Sequence, residues 1–281
     1  MNERDQCIWR LQETPGLGAV ALSRVLERCG VPGAAFFGRD SAWYRKQCGL
    51  SERCANALAQ RPPPSPAIAE QPVRAILTLD ADYPRPLSAW PAPPPVLWTL
   101  SNGNNTLTKG NLSVVASSGA EEVRVDRCKS AMETAIRDGF RLVAGHNRPV
   151  YQWALLAAKR CGAPSVMTLD RGLLDAFDGD LRRDPVAPAR IWGYGFEPER
   201  CTVLSPFRLG DGWIGANSRT RDALVVGLSD IVVAFGIRPG GTMHRLCRQA
   251  LACGRVVYAD EESLPSLAEA GARSWAGRFD L

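Results

Sequence analysis

Histidine and lysine are scarce in this chain. Its 281 residues hold two histidines, His146 and His244, and only four of its 34 basic residues are lysine (Lys46, Lys109, Lys129, Lys159). Nine cysteines are scattered without a Cys-x-x-Cys pair, and with so few histidines a zinc site is not expected. No other metal or cofactor is expected either. The opening MNERDQCIWRLQET lacks the basic-then-apolar pattern of a leader, and no apolar run approaches a membrane span. These absences point to a cytoplasmic protein with reduced cysteines and no membrane contact.

What is present is arginine, glycine and proline. The formal charge is +5 and the isoelectric point about 8.8, which permits an acidic partner without demanding one. Arginine in place of lysine suits bidentate phosphate contacts, although a GC-rich genome gives the same bias and is the first explanation.

Residues 4 to about 60 read as short helices separated by Pro15-Gly16, Val31-Pro32-Gly33 and Gly49. RPPPSP at 61–66 reads as a stiff linker, so a helical unit over 1–65 is expected, followed by a larger domain over 66–281. The stretch 71–110 is extended and proline-rich. From 112 onward, apolar strand candidates (112–117, 141–145, 165–170, 202–207, 230–237, 255–260) alternate with amphipathic segments of helical length. That alternation predicts an α/β fold, a Rossmann-like, doubly wound and mainly parallel sheet with a small all-helical N-terminal unit. The charged, turn-rich segment 176–200 reads as a mobile surface excursion.

Ligands of such sheets bind beyond the carboxyl ends of the strands. That rule selects Ser117-Ser118-Gly119, Gly145-His146-Asn147-Arg148, Ser205-Pro206-Phe207 and Arg238-Pro239-Gly240-Gly241-Thr242. The last of these offers glycine amides and a threonine hydroxyl at a helix N-terminus, where an anion is favoured. It reads equally as a plain strand-to-helix turn with a cap. Arg148, Arg219, Arg221 and Arg238, expected on the same edge, tip the reading toward phosphate. Arg221 has a simpler alternative in pairing with Asp222 or Asp230.

No carboxylate or nucleophile stands at a useful spacing from either histidine, which favours a surface or ligand-orienting role for both. Asp170, at the end of the third strand, reads as a helix cap in preference to a ribose-hydroxyl contact. Ser117 and Ser118 lack the Gly-x-Ser-x-Gly elbow, and no Gly-x-Gly-x-x-Gly follows the first strand of the α/β domain, which disfavours hydride transfer. No residue is assigned a catalytic role. Pro15-Gly16-Leu17-Gly18 reads as a helix–helix turn or, less commonly, as a phosphate-facing hairpin. Trp43, Trp153, Trp192 and Trp213 are candidate stacking faces for bases, although at least half of the eight tryptophans are expected in the core.

Three stretches carry a resemblance: LTLDADYPRPLSAWPAPPPVLW (77–98), SPF with NSRTRDALVVGLSDIVVAF (205–235) and GGTMHRLCRQALACGRVVYA (240–259). Together with the N-terminal helices, they resemble the DprA/Smf family of DNA-processing proteins. The resemblance implies a non-enzymatic protein that binds single-stranded DNA, loads a RecA-type recombinase and forms a homodimer, with a helical unit of sterile-alpha-motif or helix–hairpin–helix type. Arg221 falls on the first arginine of the family's Arg-Asn-Arg and Arg148 on the arginine of its Gly-x-Ala-Arg-Gly-Ile-Asp loop. Gly240, Gly241 and Thr242 fall on its phosphate-facing turn, and the DNA or phosphate contacts then comprise Ser117, Ser118, Gly145, Arg148, Asn217, Arg219, Arg221, Arg238, Gly240, Gly241 and Thr242. The family's Gly-Ser-Arg reads Ser117-Ser118-Gly119, and the last arginine of Arg-Asn-Arg has become Ala223, so two phosphate contacts are missing. A sensor that binds a nucleotide ligand in the same pocket, as in a defence system, is the alternative. A LOG-type phosphoribohydrolase ranks third, because the glutamate that follows that family's Pro-Gly-Gly-x-Gly-Thr is absent here.

Overall fold

The computed structural model describes residues 1–61, 72–101, 110–119 and 124–280. The boundary expected at 65/66 and the prolines around it lie outside the described residues.

Four helices open the chain: α1 (Glu3–Gln12), α2 (Ala19–Cys29), α3 (Ser41–Cys48) and α4 (Glu52–Ala59). Their starts follow from local chemistry, because Asn2, Asp40 and Ser51 accept the N–H of Asp5, Trp43 and Cys54 and so satisfy amides the helix itself leaves unpaired. Pro15-Gly16-Leu17-Gly18 is the tight turn between α1 and α2. Gly16 there has φ +80°, and a Cβ on it would sit 3.2 Å from Cys54 Sγ.

The proline-rich stretch forms β1 (Val73–Leu77), the short α5 (Arg85–Ser88) and β2 (Val96–Leu100). The alternating part follows as β3 (Asn111–Ala116), α6 (Val125–Arg137), β4 (Arg141–Gly145), α7 (Pro149–Arg160), β5 (Ser165–Thr168), α8 (Leu173–Ala176) and α9 (Ala187–Ile191). It continues with β6 (Cys201–Ser205), α10 (Asn217–Gly227), β7 (Ile231–Phe235), α11 (Thr242–Ala252), β8 (Val256–Ala259) and the two-residue β9 (Arg273–Ser274). One nine-stranded sheet results, in the order β1-β2-β6-β5-β4-β3-β7-β8-β9. It is parallel except where β1 meets β2 and β2 meets β6.

Strands buried on both faces carry unbroken apolar runs, and IVVAF of β7 is buried at every residue. Winding runs outward from β3 through β4 and β5, and the other way from β7 to β8, so right-handed crossovers place α6 and α7 on one face and α11 on the other. The order reverses between β3 and β7, where a crevice opens at the carboxyl ends. The N-terminal helices share one hydrophobic core with this sheet. Across that contact Trp98 Nε1 donates to Gln12 Oε1 at 2.6 Å, and Arg4 pairs with Asp80 at 2.5 Å.

The segment 176–200 is more firmly anchored than its polar sequence predicts. Phe177 is buried edge-to-face on Phe196, while Asp184 is buried, pairs with Lys159 at 2.8 Å and accepts the Val186 amide.

Candidate functional site

Three of the four carboxyl-end loops meet at the reversal point. The Arg238 amide donates to Ser117 Oγ at 2.9 Å and its guanidinium to the Ser118 carbonyl at 3.0 Å, which ties the loop after β7 to the loop after β3. Arg148, at the start of α7, donates to the Ala116 carbonyl at 2.9 Å and brings in the loop after β4. Between them opens a cleft of about 340 Å³, lined by Ser117, Ser118, Arg148, Arg219, Arg238 and the Gly241–Thr242 turn, with Ser218, Asp222 and Met243 completing it. The fourth loop goes elsewhere: Pro206 and Phe207 line a separate cleft against α2.

Neither α10 nor α11 carries a side-chain N-cap, so the first amides of both helices have no partner of that kind. The start of α11 lines the cleft through Gly241 and Thr242, and that of α10 through Ser218 and Arg219, although the Asn217 and Arg219 amides of α10 already donate to the Ile214 and Ala216 carbonyls. Gly240 makes the turn possible: at φ +72° it occupies left-handed space that a Cβ would strain, and its carbonyl accepts from Arg245 at 3.0 Å. The guanidinium of Arg219 is exposed and has no hydrogen bond or ion pair among the described residues.

Four of the expected contacts do not line this cleft. Gly240 sits exposed beside the turn, and Asn217 is buried at the head of α10. Arg221 and Gly145 lie beneath the floor, which corrects their assignment as direct phosphate contacts. The Arg221 side chain is 2% exposed, pairs with Asp170 at 3.1 Å and Asp222 at 2.8 Å, donates to Asn147 Oδ1 and lies over the Tyr151 ring. With two carboxylates and an amide oxygen around it, this guanidinium holds the cleft rather than meeting what enters it. Of the two simple partners foreseen for it, Asp222 is used, while Asp230 instead accepts the Asn111 amide. Gly145 makes room for this arrangement, since a Cβ there would lie 2.5 Å from Arg221 Cδ and 2.7 Å from the Tyr151 ring.

Asp170 is fully buried in the same network and caps no helix, contrary to the reading of its sequence. It also accepts from Asn147, whose amide therefore bridges Arg221 and Asp170. Tyr151 donates to Asp222 at 3.0 Å, and burial followed by the Asp222 charge holds its phenol far above the ordinary range. His146 is buried rather than at the surface. Its Nε2 lies 3.7 Å from Asp170 Oδ1, a spacing that invites an ion pair, yet desolvation outweighs that attraction and lowers the ring's pKa to about 4. His244 is also buried, with Nε2 3.0 Å from the Ser266 carbonyl.

Tyr151 and Ser218 were absent from the sequence reading, and Asp170 had the wrong role. Parallel strand register, not local pattern, brings residues 147, 151, 170 and 221 together. Among the described residues no group of three or more potential ligands is placed to hold a metal ion, and no helix is long and apolar enough to cross a membrane.

A model of the family described as DNA recombination-mediator protein A matches residues 74–277. The chain belongs to this family. Solved structures share its fold: DNA processing protein A (DprA) from Streptococcus pneumoniae superposes with a TM-score of 0.73 at 18% identity, over 98% of this chain and 95% of that one. The protein of the same name from Helicobacter pylori, studied for its single-stranded DNA binding mode, superposes with a TM-score of 0.55 at 14% identity, over 73% of this chain and 92% of that one. No curated protein sequence matches. The two positions read in the sequence as lost phosphate contacts differ in setting. Gly119 is exposed with φ +83°, and Ala223 lines a shallow cleft beside Arg219.

Proposed function

We propose that this chain is a non-enzymatic, single-stranded-DNA-binding recombination mediator that holds strand phosphates in the cleft between β3 and β7. The observation that carries the reading is the convergence there of Arg148, Arg219 and Arg238 with two helix N-termini that lack side-chain caps. Ser117, Ser118, Gly241 and Thr242 supply the neutral donors, Asn217 and Gly240 set the backbone, and Arg221 and Gly145 support the floor. The one carboxylate lining this cleft, Asp222, is engaged by Arg221 and Tyr151, which fits binding better than acid–base chemistry. Family membership and the DNA-binding relative from Helicobacter pylori support the strand as ligand. Delivery of the strand to a RecA-type recombinase, homodimerisation and a division of the chain at 65/66 belong to the same reading.

The test is titration of labelled oligo-dT at several salt concentrations with the wild type and the double variant R219A/R238A. Tight, salt-sensitive binding that the double variant weakens at least ten-fold supports the reading. Negligible binding at low salt, or binding indifferent to both substitutions, refutes it.

A second reading has the size of the cleft in its favour. A volume of about 340 Å³ suits one nucleotide, so the cleft could serve as a nucleotide-ligand pocket. Mass spectrometry of small molecules released on denaturation separates the two, because a stoichiometric nucleotide favours the pocket.

A further inference from the structure

On the outer side of α6 and α7, away from the reversal point, a cleft of about 530 Å³ is walled by Trp153, Trp192 and Tyr194. Lys129, Arg160 and Glu133 complete its polar lining. Trp192 is 72% exposed, an unusual position for the largest apolar side chain. It is nonetheless set on a fixed platform. Trp192 closes α9, its amide donating to the Pro188 carbonyl at 3.2 Å, and the segment is fastened to α7 through Lys159, which pairs with Asp184 and donates to the Gly195 carbonyl at 2.7 Å. Lys129 Nζ stands 5.6 Å from the centre of the Trp153 ring.

We propose that this cleft is a stacking site for bases of the same single strand whose phosphates enter the β3/β7 cleft, an inference that rests on the preceding reading. Aromatic faces take any base without sequence preference, and cations beside them hold the flanking phosphates. Here three aromatic rings stand with two cations against one carboxylate, so the charge balance matches a nucleic-acid backbone. Both clefts draw on α7: Arg148 lines the anion cleft at its head, and Trp153, on another side of the helix, lies five residues further along, an axial rise of about 7.5 Å at 1.5 Å per residue. A protein partner is the competing occupant, since Ile191 beside Trp192 is 83% exposed and aliphatic. The ring-and-cation lining favours the strand.

The experiment compares oligo-dT with an abasic oligonucleotide of equal length, using the full chain, W192A, W192F and I191S. With the stacking site in place, wild type binds oligo-dT about five-fold or more tighter than the abasic strand, and W192A removes most of that difference. W192F restores it, while the abasic affinity and the salt dependence stay unchanged. Equal affinity of W192A and wild type for oligo-dT overturns the inference and leaves the phosphate cleft standing. Failure of the wild type to bind either strand overturns both readings. If I191S and W192A alter self-association by light scattering but not DNA affinity, the cleft is an interface between copies, and the inference is overturned.

Discussion

Arg221 shows how a residue that looks like a ligand contact can act from beneath one. Its guanidinium pairs with both Asp170, which is fully buried, and Asp222 at the cleft wall, and removing it leaves each carboxylate short of a partner. Arg221→Ala is therefore expected to cost about 3–5 kcal/mol of unfolding free energy, read from urea denaturation, and lysine to recover only part of it because a point charge does not bridge two carboxylates. His146 adds a pH dependence to the same network. Burial lowers its pKa to about 4, against an ordinary value near 6.5, so the unfolded chain binds a proton in that window while the folded chain does not. Stability is full above about pH 6.5 and falls as the pH drops toward 4, by about 3 kcal/mol in all. Denaturation midpoints at pH 7 and pH 4.5 check this: His146→Asn should lessen the difference between them, and an unchanged difference would assign the loss to other groups.

At the scale of elements, the anion site is a property of strand ends and helix starts. The β7–α11 connection works because Gly240 turns the chain through left-handed space and delivers the first amides of α11 to the cleft. Gly240→Ala has ample room for a methyl, as nothing lies within 4 Å, so its cost is conformational, about 1–2 kcal/mol. The expected outcome is a lower melting temperature together with weaker oligo-dT binding. Retention of full affinity would show that the α11 amides do not face the ligand. The segment 176–200 teaches a related point: its charges suggested a loose loop, but Asp184 and Lys159 form a pair that holds α9 against α7.

For the whole molecule, a formal charge of +5 is too small to bind nucleic acid by bulk attraction, so affinity has to come from local clustering. Each phosphate contact on a single strand contributes a slope of roughly −0.7 in log affinity against log salt. Losing both Arg219 and Arg238 should therefore flatten the slope by about 1.4 if each meets one phosphate. The sheet also carries the helical unit, since α1 is joined to β2 through Gln12 and Trp98 in a shared core, and this joint places α2 beside the loop after β6.

Much of this was legible in the chain itself. Apolar runs such as IVVAF alternating with amphipathic stretches determine a parallel α/β sheet, because only strands covered on both faces dispense with polar residues. Helix starts at Asn2, Asp40 and Ser51 and the glycine turn before α11 follow from local hydrogen bonding and backbone sterics, which are properties of neighbours in sequence. What tertiary structure alone decided is which charged groups face the cleft and which face each other. Arg219 and Arg221 are two residues apart on α10, yet one is exposed and the other sealed under the floor with Asp170, 51 positions away. Desolvation and pairing depend on what the parallel register stacks beside a side chain, and local sequence contains no record of that distance.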